Sequence, residues 1–343
     1  MNKTRSISIT ETDMRCRRRR EARVLAVLLL LWVILVTVLL LCGDKVYSPS
    51  VLLRVLRGDE IKGATYAIIT IRLPRVLTGT LAGISFAIAG NTFQKVLRNS
   101  LASPDVMGIT SGASAAAVFS MMVLGMSGMA VSFSALCGGL AAASVILLLS
   151  QHKGFSVNKM ILTGIGIQAM MQAVINFIIL KTTDYNIADA LRWLSGSLNG
   201  VRLHDFFLFL FLAIPCIFLI LLYSRDMLIL GLGEELPVTL GMRTQSVRRG
   251  LIYCAVLLCA GTTSVTGPLS SVAFMSGPIA SRLLRTGSSG TLHAGMIGAV
   301  LVLFSEMVGQ FAFRTRYPVG VITGIIGAPY LIYLLTKLNS RSA

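Results

Sequence analysis

Charge is what this sequence has least of. Only 13% of its 343 residues are Asp, Glu, Lys or Arg, against about a quarter in a soluble domain. Acid is scarcer still, with 14 Asp and Glu against 31 Lys and Arg. The histidines are three, His152, His204 and His293, scattered at the edges of apolar runs. No two cysteines form a CxxC pair. Cys42, Cys137, Cys216, Cys254 and Cys259 fall in apolar runs and Cys16 in a basic tail, so they read as small packing residues, not disulfides or metal ligands. There is no GxxxxGKS/T phosphate loop, no HExxH and no GxSxG, which excludes ATP binding by that route and the commonest hydrolase chemistries. A nucleophile and base for an intramembrane hydrolase cannot be assembled. The expectation is a chain with no catalytic residues, no metal and no cofactor of its own.

What is present is hydrocarbon. Hydrophobic residues make up 55% of the chain, gathered into runs of about 20, each long enough to cross a bilayer core of roughly 30 Å. Backbone groups in lipid must be satisfied within the segment, so such runs are helices. The formal charge of +17 does not point to nucleic acid. Lys3, Arg5, Arg15, Arg17 to Arg20 and Arg23 directly precede the first run, where they hold the N-terminus in the cytoplasm and can touch anionic lipid headgroups. A cleaved signal peptide is disfavoured because Val24 to Cys42 is too long for its apolar core.

Ten spans are expected. The first is Val24 to Cys42, and a polar stretch, Gly43 to Arg72, follows it. The second starts near Leu73-Pro74 and runs to about Gln94. Val106 to Ser150 carries no charge over twice one span, so two helices should turn at Gly125 and Gly128. The fifth is Met160 to Leu180 and the sixth Leu203 to Tyr223. Gly250 to Ala280 should split at Gly267-Pro268 into two short helices. Leu292 to Phe313 and Pro318 to Thr336 complete the set. The division is a basic tail over 1–23, one transmembrane domain over 24–337 and a short tail over 338–343, with both termini cytoplasmic. The fold class is all-α integral membrane protein with short cytoplasmic coupling helices.

Four features carry mechanism. Gln168, Gln172 and Asn176 recur every four residues along the fifth span, and three amides on one face must meet protein or water rather than lipid. They either line a wet path or pin neighbouring helices. Glu306 is the only carboxylate well inside a span, a functional candidate by default, although a proton-coupled carrier usually needs more than one. The interruption Ser224 to Arg249 holds Leu232-Gly233-Glu234-Glu235-Leu236-Pro237-Val238-Thr239-Leu240-Gly241, a short amphipathic segment suited to a soluble partner, or else an ordinary surface loop. Arg54, Arg57, Arg314 and Arg316 fall on the outer side of this topology, where positive charge is disfavoured. GxxxG pairs at Gly79/Gly83, Gly108/Gly112 and Gly320/Gly324 allow close helix contact.

Several segments together resemble the FecCD-type permeases of binding-protein-dependent importers for ferric siderophores, haem and vitamin B12. They are Arg72-Leu73-Pro74-Arg75, Ala89-Gly90 through Gln94, Asn99-Ser100-Leu101-Ala102-Ser103-Pro104, Asp105-Val106-Met107-Gly108 to Gly112-Ala113, and Pro318-Val319-Gly320-Val321 to Ile326-Gly327-Ala328-Pro329. Gly277-Pro278-Ile279-Ala280-Ser281-Arg282, Glu306, Gln310 and Ser100 depart from the family's usual Pro-His-Ile-x-Arg, Asp, Arg and Pro. Asp105 to Gly108, Trp193 with Gly196 to Gly200, and Gln310 look most like ferric enterobactin-type permeases. The resemblance implies a homo- or heterodimer of permeases with the pore between them, separate ATPase subunits that bind the ATP, and a periplasmic binding protein. It makes Leu232 to Gly241 the ATPase-docking loop, with Leu240 in an apolar notch and Glu234 and Glu235 at its rim. It gives Arg54, Arg57, Arg314 and Arg316 to carboxylates of the binding protein. A proton-coupled carrier, or haem or vitamin B12 as cargo, is the alternative.

Overall fold

A computed structural model of the chain describes residues 2–100, 102–105, 107–151, 157–182, 187–233, 235–284 and 289–339; for 2–14, 151, 335 and 337–339 it describes the backbone alone. His152, Glu234 and Arg285 lie outside the described residues, as do Leu101 and Val106. Among the described residues every regular element is helical. Seven helices are long and apolar enough to cross a membrane, and three shorter apolar helices bring the set to the expected ten.

The first helix, α1 (Asn2–Leu41), has 40 residues, about 60 Å at 1.5 Å per residue, or twice a hydrocarbon core. Its arginine-rich start therefore continues the first span without a break. Arg20 Nε donates to the Leu283 carbonyl at 3.0 Å, and His293 Nε2 lies 3.1 Å from the Glu21 carbonyl. These contacts define a near end of the bundle. The far end is where α1 stops. There α2 (Pro49–Leu56) folds back, burying Leu52 and Val55 against Leu35, Leu39 and Leu40.

The second span begins earlier than Pro74 suggested. A π-helical stretch, Tyr66–Arg72, leads directly into α3 (Leu73–Val96). Proline has no N–H and its ring crowds the preceding turn. The wider π turn absorbs both defects: the Leu73 N–H reaches five residues back to the Ile68 carbonyl. It also aims Arg72 at the end of α1, where Nη1 donates to the Leu40 and Leu41 carbonyls at 2.8 and 2.9 Å and Nη2 to the Lys45 carbonyl at 2.7 Å. The last carbonyls of a helix have no intrahelical partner, so a cation there is favourable.

After a buried loop containing Pro104 come α4 (Ile109–Met122), α5 (Met129–Gln151), α6 (Val157–Lys181), the short α7 (Ile187–Leu194) and α8 (Leu203–Leu222). The turn between α4 and α5 falls at Gly125 and Gly128, as their positive φ angles require. Asp205 starts α8 by accepting the Arg202 N–H at 3.0 Å. Next are α9 (Ser224–Gly231) and α10 (Glu235–Thr239), then α11 (Thr244–Thr266), α12 (Val272–Leu284), α13 (Thr291–Phe311) and α14 (Val319–Asn339).

The break at Gly267-Pro268 lies where expected, with Gly267 at φ 70. Its two sides are unequal, however: α11 is full length and only α12 is short. The charge-free window missed the first turns of α11, whose Arg249 is exposed at the near end, as a long cation leaving an apolar stem can be. The hydroxyls of Thr262, Thr263 and Thr266 each bond the carbonyl four residues back, which makes them tolerable in a buried helix.

At the centre is α3, packed on α8, α11, α12 and α13. Lipid tails are as apolar as leucine, so helices associate through close packing. A Cβ on Gly83 would overlap the Gly298 carbonyl, and one on Gly298 would overlap the Gly83 carbonyl. The Gly79/Gly83 pair therefore packs within this chain, on α13. A Cβ on Gly166 of α6 would meet nothing within 4 Å. Gly83→Ala should thus cost about 1–3 kcal/mol by overpacking, whereas Gly166→Ala should gain about 0.5–1 kcal/mol from helix propensity. Thermal melts of the purified variants in one detergent check the opposite signs.

Candidate functional site

At the near end, α9 is an anchor and α10 a knob. Met227 and Leu230 of α9 are fully buried in the main core. Beyond them the chain surfaces abruptly. Leu232, Leu236 and Leu240 recur every four residues and are 70%, 47% and 64% exposed, while Pro237 of α10 is buried. Glu235 is exposed beside them, and Gly233 and Gly241 sit at positive φ with open space around them. Such a row, beside an exposed acid, is an apolar patch of the kind that contact surfaces use. The helix itself is five residues long, shorter than the leucine spacing suggested.

Along α6, Gln168 is half-buried, whereas Gln172 and Asn176 are exposed. Gln172 Nε2 donates to Asn176 Oδ1 at 3.2 Å. Most of the amide stripe thus lies on a face that the described helices of this chain leave uncovered. One bond between the two amides leaves several donors and acceptors unmet, an expensive arrangement against acyl chains.

The far end gathers arginines. Arg54 pairs with Asp59 at 2.9 Å and Arg316 with Asp44, all four exposed. Arg57 and Arg314 are also exposed and make no ion pair among the described residues. Arg54 and Arg316 therefore have acidic neighbours in their own chain. Exposed pairs of this kind are worth about 0–1 kcal/mol, so they hold these side chains only loosely.

Glu306 is 5% exposed and has a partner on another helix. Its Oε1 lies 3.6 Å from Arg75 Nε of α3 and accepts from Gln310 Nε2 at 2.6 Å. Arg75 also bonds the Asn199 side chain in the connection before α8. That connection is tied in turn to the break after α11, where the Ser197 N–H donates to the Thr266 carbonyl at 2.8 Å, and to α14, where the Gly320 N–H donates to the Gly196 carbonyl at 3.1 Å. One polar cluster, buried at Glu306 and open to the surface at Asn199, thus links α3, α11, α13 and α14. Sequence reading placed Glu306 in a span and quoted Arg75 only as part of a motif. The missed signal was that a lone intramembrane acid calls for an intramembrane base, which Arg75 at the start of α3 supplies.

Asp105, in the loop between α3 and α4, is a second inward acid, half-buried as a residue but with its Oδ1 buried. Burial pushes its carboxyl up to about 7, against hydrogen bonds from Thr110 and the Ser271 backbone. Its Oδ1 has no partner among the described residues. The described residues hold no group of three or more His, Cys, Asp or Glu suited to a metal.

Removing one member of a buried ion pair costs about 3–5 kcal/mol, because the other charge is left uncompensated, while replacing both with apolar groups is often neutral. Glu306→Ala should therefore lower the melting temperature well below that of the Arg75→Met, Glu306→Leu double variant. Equal losses in the two would show that the pair acts only through packing.

Comparison with known proteins identifies the fold and the family. The FecCD transport family matches residues 29–337. The chain is 32% identical over 304 residues to the ferric enterobactin transport system permease protein FepG of Escherichia coli (strain K12), covering 87% of this chain and 91% of that one. It is 32% identical over 334 residues to the Fe(3+)-citrate import system permease protein YfmE of Bacillus subtilis (strain 168), covering 94% and 98%. It is also 32% identical over 276 residues to the cobalamin import system permease protein BtuC of Halobacterium salinarum, covering 80% and 74%. A metal-chelate-type ABC transporter solved in an inward-facing conformation has the same fold, with a TM-score of 0.79 over 92% of this chain and 99% of that one, at 24% identity. With the match running through all ten apolar helices, this chain belongs to the FecCD transport family.

Proposed function

We propose that this chain is the permease subunit of an ATP-driven importer that carries a ferric siderophore, of the catecholate class, across the bacterial inner membrane. The observation that carries the reading is the exposed Leu232, Leu236 and Leu240 row at the near end of a FecCD-family membrane body, in a chain without a phosphate loop. The energy must then come from a separate ATPase, and that row is where it docks. Fully burying one leucine contributes about 1.5–3 kcal/mol, so the three-leucine row is an apolar anchor within a wider contact, with Glu235 at its rim. Iron-chelate cargo follows the relatives named for enterobactin and citrate, and the catecholate class follows the similarity to FepG. Cobalamin is the second cargo, on the strength of the similarity to a cobalamin permease.

The near end is assigned to the cytoplasm because the arginine cluster of α1 lies there. Both termini are then cytoplasmic and the far end periplasmic. A second permease, identical or related, faces the uncovered side of α6, and the amides of Gln172 and Asn176 line the wet seam between the two. A periplasmic binding protein meets the far end. Arg57 and Arg314 offer it unpaired charge, and Arg54 and Arg316 exchange Asp59 and Asp44 for its carboxylates. Weak exposed pairs add orientation and encounter rate more than affinity.

Gly241→Arg places a long cation beside Leu240. The ATPase should then be lost from the purified complex, and energised uptake of radiolabelled ferric enterobactin should fall at least tenfold, with the chain still in the membrane. Normal capture and uptake would overturn the docking assignment. Cysteine at Gln172 or Asn176 should react with a membrane-impermeant maleimide in at least one nucleotide state. Protection in all states would assign these amides to helix pairing alone.

A further inference from the structure

The cytoplasmic end of α3 is closed by an unusual residue. The Arg98 N–H donates to the Lys95 carbonyl at 3.2 Å and the Asn99 N–H to the Gln94 carbonyl at 3.0 Å. This is the doubly bonded helix end in which the residue after the cap turns left-handed and is usually glycine. Here it is arginine, at φ 52. A residue with a Cβ in that region is strained by about 1–3 kcal/mol and persists where its surroundings hold it. Nothing in the backbone turn itself calls for arginine.

The side chain does. Arg98 Nε donates to the Leu230 carbonyl of α9 at 2.9 Å. Leu230 stands next to the last residue of α9, so its carbonyl is one that the helix cannot satisfy, and a cation is favoured at that pole. Met227 and Leu230 pack in the same core as Val96 and Leu97 of α3. The end of α3 and the anchor helix of the docking segment are thus joined by both packing and a charged hydrogen bond. Two residues beyond Leu230 the chain emerges as the exposed leucine row.

On its other side Arg98 begins the loop to α4. That loop is buried at Ala102, Ser103 and Met107. Its far end lies directly against α6: a Cβ on Gly108 would meet the Gly164 carbonyl at 2.9 Å and the Gln168 nitrogen at 3.2 Å. Packed contacts therefore lead from α10 through α9 to Arg98, and from the buried Ala102, Ser103 and Met107 through Gly108 to Gln168, the first amide of the stripe.

We propose that Arg98 is the positioning residue that couples movement of the ATPase-docking segment to the amide-lined face of α6. This rests on reading α10 as the docking element. The guanidinium holds the carbonyl end of α9, so that displacement of α10 is passed through Arg98 to the segment ending at Gly108 and from there to the α6 backbone at Gly164 and Gln168. Without it α9 can move while α6 stays still.

The test uses the full chain purified with the ATPase that it captures, carrying Gln172→Cys as a reporter. Labelling by a charged maleimide is measured without nucleotide and with ATP plus vanadate. The background protein should show different labelling rates in the two states and bind the ATPase. Arg98→Gly relieves the left-handed strain and removes the side chain. It should keep its melting temperature and its ATPase, yet lose at least tenfold of the nucleotide-dependent difference in rate. Arg98→Lys should restore part of that difference, and Arg98→Gln should not. A full nucleotide response in Arg98→Gly overturns the coupling role and leaves the docking assignment standing. Loss of the ATPase from Arg98→Gly also overturns it, by making Arg98 part of the docking surface. Failure of the Gln172→Cys background to capture any ATPase refutes the docking assignment itself.

Discussion

The close approach of α3 and α13 at Gly83 and Gly298 is the constraint on which the rest of this bundle depends. Apolar side chains gain nothing by leaving lipid for another apolar surface, so cohesion must come from contact at backbone distance. The two glycines supply it near the middle of both helices, where any side chain would overlap a carbonyl. With that crossing set, Arg75 meets Glu306 at the far end and Asn91 Nδ2 reaches the Thr291 hydroxyl at 3.2 Å at the near end. The pair then forms a post around which α8, α11 and α12 are arranged.

The charged contacts of that post, among the described residues, lie at its two ends. Arg72 caps the end of α1, Arg75 neutralises Glu306 and Arg98 caps the end of α9. Each places a cation of the α3 segment on a carboxylate or helix-end carbonyl oxygen that its charge stabilises. In consequence α3 is in contact with elements at both ends of the bundle. Its far end is bound to the connection holding Asn199, its near end to α9, and the loop beyond it to α6. A transporter driven from one side and loaded from the other needs such a connection between its ends.

The two proline-containing loops, before α4 and before α12, show how a short helix is accommodated in a membrane body. Ala102, Ser103 and Leu269 are buried in protein, and irregular backbone is tolerated at such depth only where protein or a wet cavity covers it. Hydropathy located both breaks from Pro104 and Gly267-Pro268. It misjudged lengths, because a helix can continue through a polar or charged stretch, as it does from Tyr66 and from Thr244.

The sequence by itself determined that this is an all-α membrane protein with ten apolar helices, a cytoplasmic-type basic start and a family signature. Those properties are local: span length follows from hydrocarbon thickness, and helicity from backbone groups that have no water to bond. The amide stripe and the leucine row were likewise legible, because helical spacing alone puts such residues on one face. Only the tertiary structure decided which of those faces stay uncovered, that Glu306 belongs to Arg75, that Arg54 and Arg316 have acids of their own, and that Arg98 reaches α9. Each joins residues remote in sequence. The charge and apolarity that select a partner are common to many residues, and only packing brings two particular ones within reach.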